Sequence, residues 1–382
     1  MTDTTREPIP FHRPSIGERE IAAATEVLRS GWLTTGARAH ALEDALRERL
    51  GVRHALAVSS ATAALHLALE GMGIGPGDDV LMPTYTFTAC GEVCAYLGAR
   101  VVLADVDDQR LLGAEQVRAA LTPATRAIIT VHFGGLAVDP APIRAAAPGS
   151  RIVEDAAHAL PADVGGVPTG RLGDAAAFSF YATKTMTTGE GGMLVSDDDA
   201  LAERAERMRL HGIDADAWNR YGAGGTWFYE VTEAGFKYNL TDLAASIGLV
   251  QLDRLDEMAR AREAIAHAYD RAFADSPLVE LPPRHEGDRH AWHLYVVALR
   301  LDDLAITRDE VIERLGAAGI GSSVHFIPLH LHPYYQREFG YQPGDFPNAE
   351  RLYERSLSLP IWPDMSEAQV ARVAETLLAI LD

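Results

Sequence analysis

The chain has 382 residues, enough for two or three domains, because a single hydrophobic core rarely grows so large. Apolar residues make up 47% and charged residues 23% of the chain, a composition that excludes disordered, collagen-like and coiled-coil proteins. The formal net charge of −20 argues against a nucleic-acid or anionic membrane partner, since an acidic surface repels phosphate groups.

The ends and the cysteines indicate a cytoplasmic protein without a membrane partner. The first 15 residues, MTDTTREPIPFHRPS, lack the apolar core of a signal peptide, and no segment approaches the ~18 consecutive apolar residues of a membrane span. Cys90 and Cys94 lie one helical turn apart in an apolar stretch. This pattern predicts core packing in a reducing compartment rather than a disulfide framework.

Predicted helices and strands alternate through the first half of the chain. Helical spacing of apolar residues is found at 18–30 and 39–50. Strands are then predicted at 54–59, 79–83, 99–106, 126–133 and 151–157, with helical segments between them. This alternation predicts a mostly parallel sheet covered by helices on both faces, with the ligand site at the carboxyl ends of the strands.

The second half predicts a smaller α+β domain. Two short strands, AAAFSFY and GGMLVS, flank a polar loop near residue 184, and a helical stretch runs from about 241 to 273. The turn-rich segment PPRHEGDRH follows, and then strands near 292–299 and 321–326 and helices at 307–317 and 366–381 are predicted. We expect a large domain over 1–255, with the N-terminal segment, and a smaller one over 256–382.

The segment SSATAALHLAL, residues 59–69, follows a strand and opens a helix. If Ser60 caps this helix, the amides of Ala61 and Thr62 stay available for a phosphate. A plain capped helix would show the same sequence, so the segment alone leaves both interpretations open. The glycine-rich GMGIGPGD at 71–78 is interpreted as a turn, because it follows a helix and lacks the spacing of a dinucleotide loop.

A predicted strand ends in two carboxylates, in RIVEDAAHA at 151–159. Because side chains alternate along a strand, one of Glu154 and Asp155 faces a site at the strand end while the other faces the opposite side. A carboxylate there suits a protonated nitrogen heterocycle or a metal, and it also suits the cap of the following helix. The segment alone does not choose among these roles.

A lysine stands in the small-residue segment FSFYATKTMTTGEGGML, at 178–194. Lys184 and Lys237 are the only lysines of the chain, so an incidental exposed lysine at this position is disfavoured. Burial between two apolar strands would lower the pKa of the Lys184 amine and make it a usable nucleophile. Glycines at 189, 191 and 192 would let the backbone approach a flat ligand closely.

Histidines mark two further places. His132 ends a predicted strand and is expected at the edge of the site. His325, His330 and His332 lie close together, but Pro328 separates them and no carboxylate or cysteine completes a metal-ligand set. Substrate contact and structural roles stay open for these three, and we predict no metal.

A phosphate-binding helix start, a strand-end carboxylate and a loop lysine together are what pyridoxal phosphate requires. The sequence also resembles the DegT/DnrJ/EryC1/StrS family of nucleotide-sugar aminotransferases, a branch of the fold-type I pyridoxal-phosphate enzymes, over residues 11–381. The blocks that carry the resemblance are SGWLTTG, SSATAALH, PTYTF, EDAAHA, SFYATKTMTTGEGGM, GFKYNLTD, AWHLYVV and VHFIPLH. It implies a mixed, mostly parallel sheet with helices on both faces and a smaller C-terminal α+β domain.

The resemblance implies roles for particular residues. Lys184 would bind pyridoxal phosphate covalently as an aldimine, with pyridoxamine phosphate as an intermediate, and Asp155 would pair with the pyridinium nitrogen. The other implied contacts are His158 beside the ring hydroxyl, Phe87 on the ring face, Ala61, Thr62 and Ser179 on the phosphate, and His325 on the sugar. Asn239 would reach the phosphate of the neighbouring subunit, because family members are homodimers with shared active sites.

The resemblance also implies the reaction. Family members move an amino group from L-glutamate to a nucleotide-linked keto sugar, in pathways such as deoxysugar biosynthesis. FHRPSIGEREI, SGWLTTG, GFKYNLTD and VHFIPLH are similar to the branch that aminates C4, which predicts a dTDP-4-keto-6-deoxyhexose as acceptor. A 3-keto sugar and a UDP-4-keto sugar are the alternative acceptors.

Three alternative functions fit the sequence less well. Sugar dehydratases of the same fold and cofactor replace the lysine by histidine, whereas this chain keeps Lys184. A non-catalytic regulator is disfavoured by the net charge of −20 and by the Lys184–Asp155 pair. A nicotinamide-dependent enzyme is disfavoured because the glycine fingerprint is missing.

Overall fold

The computed structural model describes residues 7–213 and 229–382. Its centre is a seven-stranded sheet with the order β1-β9-β8-β5-β4-β2-β3. The strands are β1 His54–Val58, β2 Asp79–Pro83, β3 Arg100–Ala104, β4 Thr125–Val131, β5 Arg151–Asp155, β8 Ala175–Ser179 and β9 Gly192–Ser196, while β6 Asp163–Val164 and β7 Val167–Pro168 form a separate hairpin. Only β9 runs against the others, because it pairs antiparallel with both β8 and β1.

Helices cover both faces of this sheet. Those of the first 208 residues are α1 Glu18–Ser30, α2 Ala37–Leu50, α3 Ala61–Gly71, α4 Ala89–Tyr96, α5 Ala114–Ala120, α6 Ala141–Ala146 and α7 Asp199–Met208. One hydrophobic cluster joins α3 and α4 to the middle strands, and a second joins α2 to the other face of β8 and β9. Apolar runs such as β2, whose five residues are all buried, therefore form strands covered on both sides.

A smaller antiparallel sheet, in the order β10-β11-β12, lies in the last third of the chain. Its strands are β10 Val279–Glu280, β11 Tyr295–Leu299 and β12 Ser356–Leu359, and the accompanying helices are α8 Asp242–Asp253, α9 Leu255–Phe273, α10 Arg308–Ala317, α11 Pro333–Phe339, α12 Pro347–Arg355 and α13 Glu367–Leu381. A third hydrophobic cluster packs α9 and α13 against this sheet. None of the helices in the described ranges is long and apolar enough to cross a membrane.

Two predictions about elements are wrong in detail. The helical stretch predicted from 241 to 273 is two helices, α8 and α9, which meet at Arg254. The Arg254 guanidinium there donates to Glu20 Oε1 at 2.7 Å, which ties the junction to α1. The strand predicted at 321–326 does not form, because only Ser323 pairs with Ser358 of β12 before the chain leaves the sheet. That departure carries His325 towards the carboxyl ends of the central strands.

Candidate active site

The start of α3 forms the first wall of the site. Ser60 has an extended backbone, and its Oγ accepts a hydrogen bond from the amide of Ala63 at 3.0 Å. The amides of Ala61 and Thr62 lie in the first turn of this helix, where amides lack intrahelical acceptors. Gly192 of β9 lies directly against this turn, since a Cβ on it would come 2.5 Å from the carbonyl carbon of Ser60. Glycine at 192 therefore lets the sheet approach the helix start.

Asp155 forms the floor of the site at the end of β5. Its Oδ1 accepts from the amide of Ala157 at 3.0 Å, and its Oδ2 accepts from the Cys90 thiol at 3.1 Å. Burial, and the charge of the neighbouring Asp155, raise the pKa of the Cys90 thiol well above its usual range, so the thiol stays protonated and donates. The two donors fix the orientation of the carboxylate.

Glu154, the preceding residue, faces the other side of the sheet and has a different role. Its two oxygens accept from the amides of Gly170, Leu172 and Gly173 and from Nε2 of His132, all at 2.7–2.9 Å. His132 is fully buried in this network, so the prediction that it lies at the edge of the site is wrong. The side chains of β5 alternate as predicted, and one serves the fold while the next serves the site.

Lys184 lies in the loop between β8 and β9 and is half-buried. Desolvation lowers the pKa of its amine to about 8, although the nearby Asp155 carboxylate raises it. Hydrogen bonds hold the loop at both ends, from the amide of Lys184 to the carbonyl of Tyr181 at 3.0 Å and from the amide of Thr188 to the carbonyl of Phe180 at 2.9 Å. About a tenth of the amine is therefore unprotonated at pH 7, far more than for an ordinary lysine.

These walls enclose one cavity of about 490 Å³. The predicted site residues that line it are Ala61, Thr62, Phe87, Asp155, His158, Ser179, Lys184 and His325. Asn239 is not among the lining residues. Its Nδ2 donates to Thr35 Oγ1 at 2.6 Å, and its Oδ1 accepts from the Lys237 amine. The structure thus brings eight predicted residues together around one cavity and leaves Asn239 outside it.

Three histidines line the far side of the cavity. His158 Nδ1 accepts from the amide of Gly134 at 3.3 Å, which places the ring proton on Nε2. The ring centroids of His158 and His293 are 4.3 Å apart, and His325 Nδ1 lies 2.8 Å from Ser358 Oγ. Burial, with the charge of Lys184 as a smaller cause, lowers the pKa of all three, that of His325 to about 4. They are uncharged at neutral pH and act as hydrogen-bonding groups.

The other two histidines of the 325–332 segment lie elsewhere. His330 is fully buried between Thr84 Oγ1 at 2.8 Å and Glu350 Oε1 at 2.9 Å, which makes it a structural link. His332 lines a neighbouring groove. Within residues 7–213 and 229–382, no group of three His, Cys, Asp or Glu side chains is placed to hold a metal ion.

Sequence reasoning missed the roles of two residues, His293 at the cavity and Cys90 behind Asp155. His293 lines it, and its Nδ1 has no partner in the described part of the chain, yet in the sequence it stands inside an apolar strand-like run. Cys90 was predicted only as core packing, and its contact with Asp155 joins residues 65 positions apart. For His293, the one signal in the sequence is a polar residue inside an apolar run. For Cys90, no local signal in the sequence predicts the contact with Asp155.

Comparison with known proteins identifies the family. Residues 14–378 match the profile of the DegT/DnrJ/EryC1/StrS aminotransferase family. The spore coat polysaccharide biosynthesis protein SpsC of Bacillus subtilis (strain 168) is 46% identical over 377 residues, which cover 98% of this chain and 97% of SpsC.

Solved structures agree with this assignment. The PMP form of the putative sugar aminotransferase Spr1654 from Streptococcus pneumoniae has a TM-score of 0.90 and 32% identity, covering 97% of this chain and 98% of that one. Its PLP form has a TM-score of 0.90 and 31% identity, covering 98% of both chains. Helicobacter pylori PseC, an aminotransferase involved in the biosynthesis of pseudoaminic acid, has a TM-score of 0.91 and 27% identity, covering 98% of this chain and 99% of that one.

The predicted fold-type I architecture, the cofactor and the enzyme class are confirmed by these relatives. The central sheet carries Lys184 and Asp155 at the carboxyl ends of its strands, in one cavity. The chain belongs to the DegT/DnrJ/EryC1/StrS aminotransferase family and is a pyridoxal-phosphate-dependent sugar aminotransferase.

Proposed function

We propose that this enzyme transfers an amino group from L-glutamate to C4 of a nucleotide-linked 4-keto-6-deoxy sugar, with dTDP-4-keto-6-deoxyhexose as the acceptor. The main support for amino-group transfer is that Lys184 and Asp155 line the same cavity of about 490 Å³. The choice of C4 is supported by the resemblance of FHRPSIGEREI, SGWLTTG, GFKYNLTD and VHFIPLH to the branch that aminates C4, and dTDP is the carrier we favour within that branch.

The residues around the cavity fit pyridoxal phosphate. The first turn of α3 and Ser179 offer amides and hydroxyls to a phosphate, and Gly192, which pairs with Ser179, lets the sheet lie close against that turn. Asp155 offers a carboxylate to the ring nitrogen, and Phe87 offers its face to the ring. When bound, the cofactor supplies an aldehyde that accepts amines and a cationic ring that withdraws electrons.

Lys184 and Asp155 are the proposed catalytic residues. The Lys184 amine, with its pKa lowered to about 8, would hold the cofactor until the donor amine displaces it, and the freed amine would then act as a general base that moves a proton from the reacting carbon of the donor to the cofactor. In the second half of the reaction, Lys184 returns a proton to C4 of the sugar. Asp155, oriented by the Cys90 thiol and the Ala157 amide, keeps the positive charge on the ring nitrogen.

The uncharged histidines orient the ligands. His158 presents the Nε2–H group, because its Nδ1 is taken by the Gly134 amide, and we assign that group to the ring hydroxyl of the cofactor. His325 is held by Ser358 through Nδ1 and lines the cavity, where we assign it to a hydroxyl of the sugar. Histidines that stay uncharged at neutral pH bind hydroxyls without placing a second positive charge beside the ring nitrogen that Asp155 keeps protonated.

A homodimer with shared sites would complete the phosphate site. Of the described residues that line the cavity, Lys184 is the only lysine or arginine, so a phosphate dianion needs further donors. Asn239 does not line the cavity of its own subunit. We assign it to the cofactor phosphate of the neighbouring subunit.

Mixing two inactive variants tests the shared site. Half of the dimers formed from Lys184→Ala and Asn239→Ala subunits would carry one site free of both changes, which restores about a quarter of the wild-type activity. No recovery, with subunit exchange shown independently, would contradict the assignment of Asn239.

Two further parts of the proposal concern domains and location. The boundary at 255/256 falls one residue inside α9, next to its junction with α8, and the whole small sheet lies beyond it. The N-terminal segment, assigned to the large domain, also contacts the small one, through the Ile9 amide and the Gly319 carbonyl at 2.8 Å. A cytoplasmic location is supported by the free thiols of Cys90 and Cys94.

The visible absorption of the purified, cofactor-loaded enzyme tests the reaction. L-glutamate should bleach the yellow absorption of the wild-type enzyme, and dTDP-4-keto-6-deoxyhexose should restore it. In the Lys184→Ala variant, neither change should occur. Restoration only by a UDP-linked or a 3-keto sugar would replace the proposed acceptor. Absence of bleaching by glutamate would contradict the proposed donor.

A further inference from the structure

A buried arginine links the central sheet to the small sheet. Arg110 follows β3, and its guanidinium contacts Ser356 at the start of β12. The residue is 4% exposed, its Nε has no hydrogen-bond partner in the described part of the chain, and no carboxylate there forms an ion pair with it. A buried cation without an anion is costly, so we searched its surroundings for a role.

The turn that carries Arg110 is strained and firmly held. The backbone φ of Arg110 is 68°, in the left-handed region that residues other than glycine rarely adopt. Asp107 fixes the turn, because its carbonyl accepts from the Arg110 amide at 3.0 Å and its Oδ1 accepts from the amides of Gln109 and Leu111 at 2.9 Å. Such strain persists only where the surrounding structure imposes it. The turn therefore fixes the start of the arginine side chain.

Two hydroxyls lie beside the guanidinium. Nη2 of Arg110 donates to Ser356 Oγ at 3.2 Å, and Ser356 Oγ lies 3.1 Å from the Tyr85 hydroxyl. Burial raises the pKa of Tyr85, and the positive charge of Arg110 opposes this rise. Ser356 Oγ donates to the carbonyl of Leu352 at 2.6 Å, and the Tyr85 hydroxyl donates to the carbonyl of His325 at 2.7 Å. Both hydroxyl protons are thus directed to backbone carbonyls.

The cation sets the direction of these hydrogen bonds. An arginine side chain has donors only, so an oxygen that faces it presents a lone pair and turns its own proton elsewhere. Without the cation, the Tyr85 hydroxyl would be free to donate to Ser356 Oγ in place of the His325 carbonyl. Arg110 therefore keeps the Tyr85 proton on His325.

The hydrogen bond from Tyr85 anchors a residue that lines the cofactor cavity. The ring of His325 is held separately, by Ser358 Oγ at 2.8 Å from its Nδ1 and by the stacked Phe11 ring at 5.5 Å between centroids. Of these contacts, only Tyr85 follows a strand of the central sheet, since β2 ends at Pro83. The Tyr85 bond therefore fixes where His325 lies relative to the sheet that carries Lys184 and Asp155.

We propose that Tyr85, oriented by Arg110, is a positioning residue that holds His325 in place at the cavity. The consequence for catalysis rests on the proposed function, in which His325 binds a hydroxyl of the sugar. Tyr85 should then matter for the half-reaction with the sugar and not for the half-reaction with L-glutamate.

The two half-reactions of the cofactor-loaded enzyme, measured separately, test this division. Tyr85→Phe removes only the hydroxyl and should raise the KM for the keto sugar that restores the absorption by about fivefold to tenfold, the loss of one buried hydrogen bond. The glutamate half-reaction should stay within about twofold of wild type.

Tyr269→Phe is the matched control. Tyr269 is also 0% exposed, and its hydroxyl donates to the carbonyl of Pro360 at 2.8 Å in the core of the small domain. The control removes the same group from an equally buried site without touching His325. It should leave the sugar KM unchanged, and an equal rise of the sugar KM in both variants would overturn the proposal.

Arg110→Met tests whether the cation acts through Tyr85. The change removes the charge but keeps a long side chain, and it should raise the sugar KM by about twofold to fivefold. The double variant with Tyr85→Phe should have the KM of Tyr85→Phe alone, because the hydroxyl that Arg110 orients is then absent. Additive effects of the two changes would contradict the orienting role of Arg110.

The magnetic resonance signals of the His325 ring report its position without any substrate. They are measured in the cofactor-loaded enzyme with isotope-labelled histidines and assigned by their loss in His325→Ala. Tyr85→Phe should shift them, and Tyr269→Phe should not. Unchanged His325 signals in a folded Tyr85→Phe protein would overturn the proposal, whatever the sugar KM.

The same signals separate this proposal from the proposed function. Shifted His325 signals with an unchanged sugar KM would confirm Tyr85 as a positioning residue and contradict the assignment of His325 to the sugar. If L-glutamate fails to bleach the wild-type enzyme, the proposed donor is wrong, and the signals still decide whether Tyr85 positions His325.

Discussion

The two faces of strand β5 use neighbouring carboxylates for opposite purposes. Glu154 is 0% exposed and has four donors at hydrogen-bond distance, so its charge is fully occupied by the fold. Asp155 is 7% exposed, has two donors and lines the cavity, so part of its hydrogen-bonding capacity is left for a ligand. Burial alone does not distinguish a functional carboxylate from a structural one, whereas the number of occupied lone pairs does.

The comparison extends to the partners of the two carboxylates. Glu154 is surrounded by backbone amides of the loop 170–173, which no side-chain substitution removes. Each carboxylate also has one side-chain donor, His132 for Glu154 and Cys90 for Asp155, but Asp155 has only one amide donor, that of Ala157. Glu154 thus fixes a loop of the chain, whereas Asp155, the proposed catalytic carboxylate, depends on the Cys90 side chain for one of its two donors.

Asp155→Ala should give the largest loss of activity. The variant keeps the packing of β5 because the network of Glu154 on the opposite face is untouched. Without the carboxylate the ring nitrogen of the cofactor loses its proton, and we expect transfer to fall by about 10²–10³-fold. Single-turnover rates with L-glutamate check this. Wild-type turnover in a folded Asp155→Ala protein would remove the pyridinium role.

Glu154→Ala should give the opposite result, a loss of stability with little loss of chemistry. The change leaves the three amides of the loop 170–173 and His132 without their acceptor in a dry interior. We expect the free energy of unfolding to fall by about 3–5 kcal/mol. Urea denaturation measures this. A variant that is as stable as wild type but inactive would reverse the assignment of the two carboxylates.

Local sequence patterns predict most of the elements, the start of α3 and Lys184, whereas the site roles of Phe87, His158, Ser179 and His325 come from the family resemblance. The helix expected at 18–30 is Glu18–Ser30, and the loop lysine was singled out by the small residues around it. What the sequence did not predict depends on long-range packing. The Cys90–Asp155 contact and the Tyr85–His325 hydrogen bond each join segments more than 60 residues apart. The strand predicted at 321–326 is absent for the same reason, because a strand there would need continuous pairing with β12, and long-range packing decides that pairing.

The pH dependence of cofactor uptake should report the charge of Lys184. Only the unprotonated amine attacks the aldehyde, and its pKa is about 8, so the uptake rate of the apoenzyme should rise about tenfold per pH unit below pH 8 and level off above it. Because Asp155 raises this pKa, Asp155→Asn should move the inflection to lower pH. Stopped-flow absorbance measures the rates. An inflection near the ordinary lysine value of 10.5 in the wild-type enzyme would contradict the desolvation of Lys184.

Cys90→Ala should give the smallest effect, and it tests whether the catalytic carboxylate needs its side-chain donor. Removal of the thiol leaves Asp155 with the Ala157 amide alone, and we expect the glutamate half-reaction to slow by a few-fold to about tenfold. Cys90→Ser restores a donor and should recover most of this rate. Cys94→Ala is the matched control, since that buried thiol donates to the Cys90 carbonyl at 3.2 Å. If both alanine variants slow the reaction equally, the effect comes from core packing and Cys90 does not position Asp155.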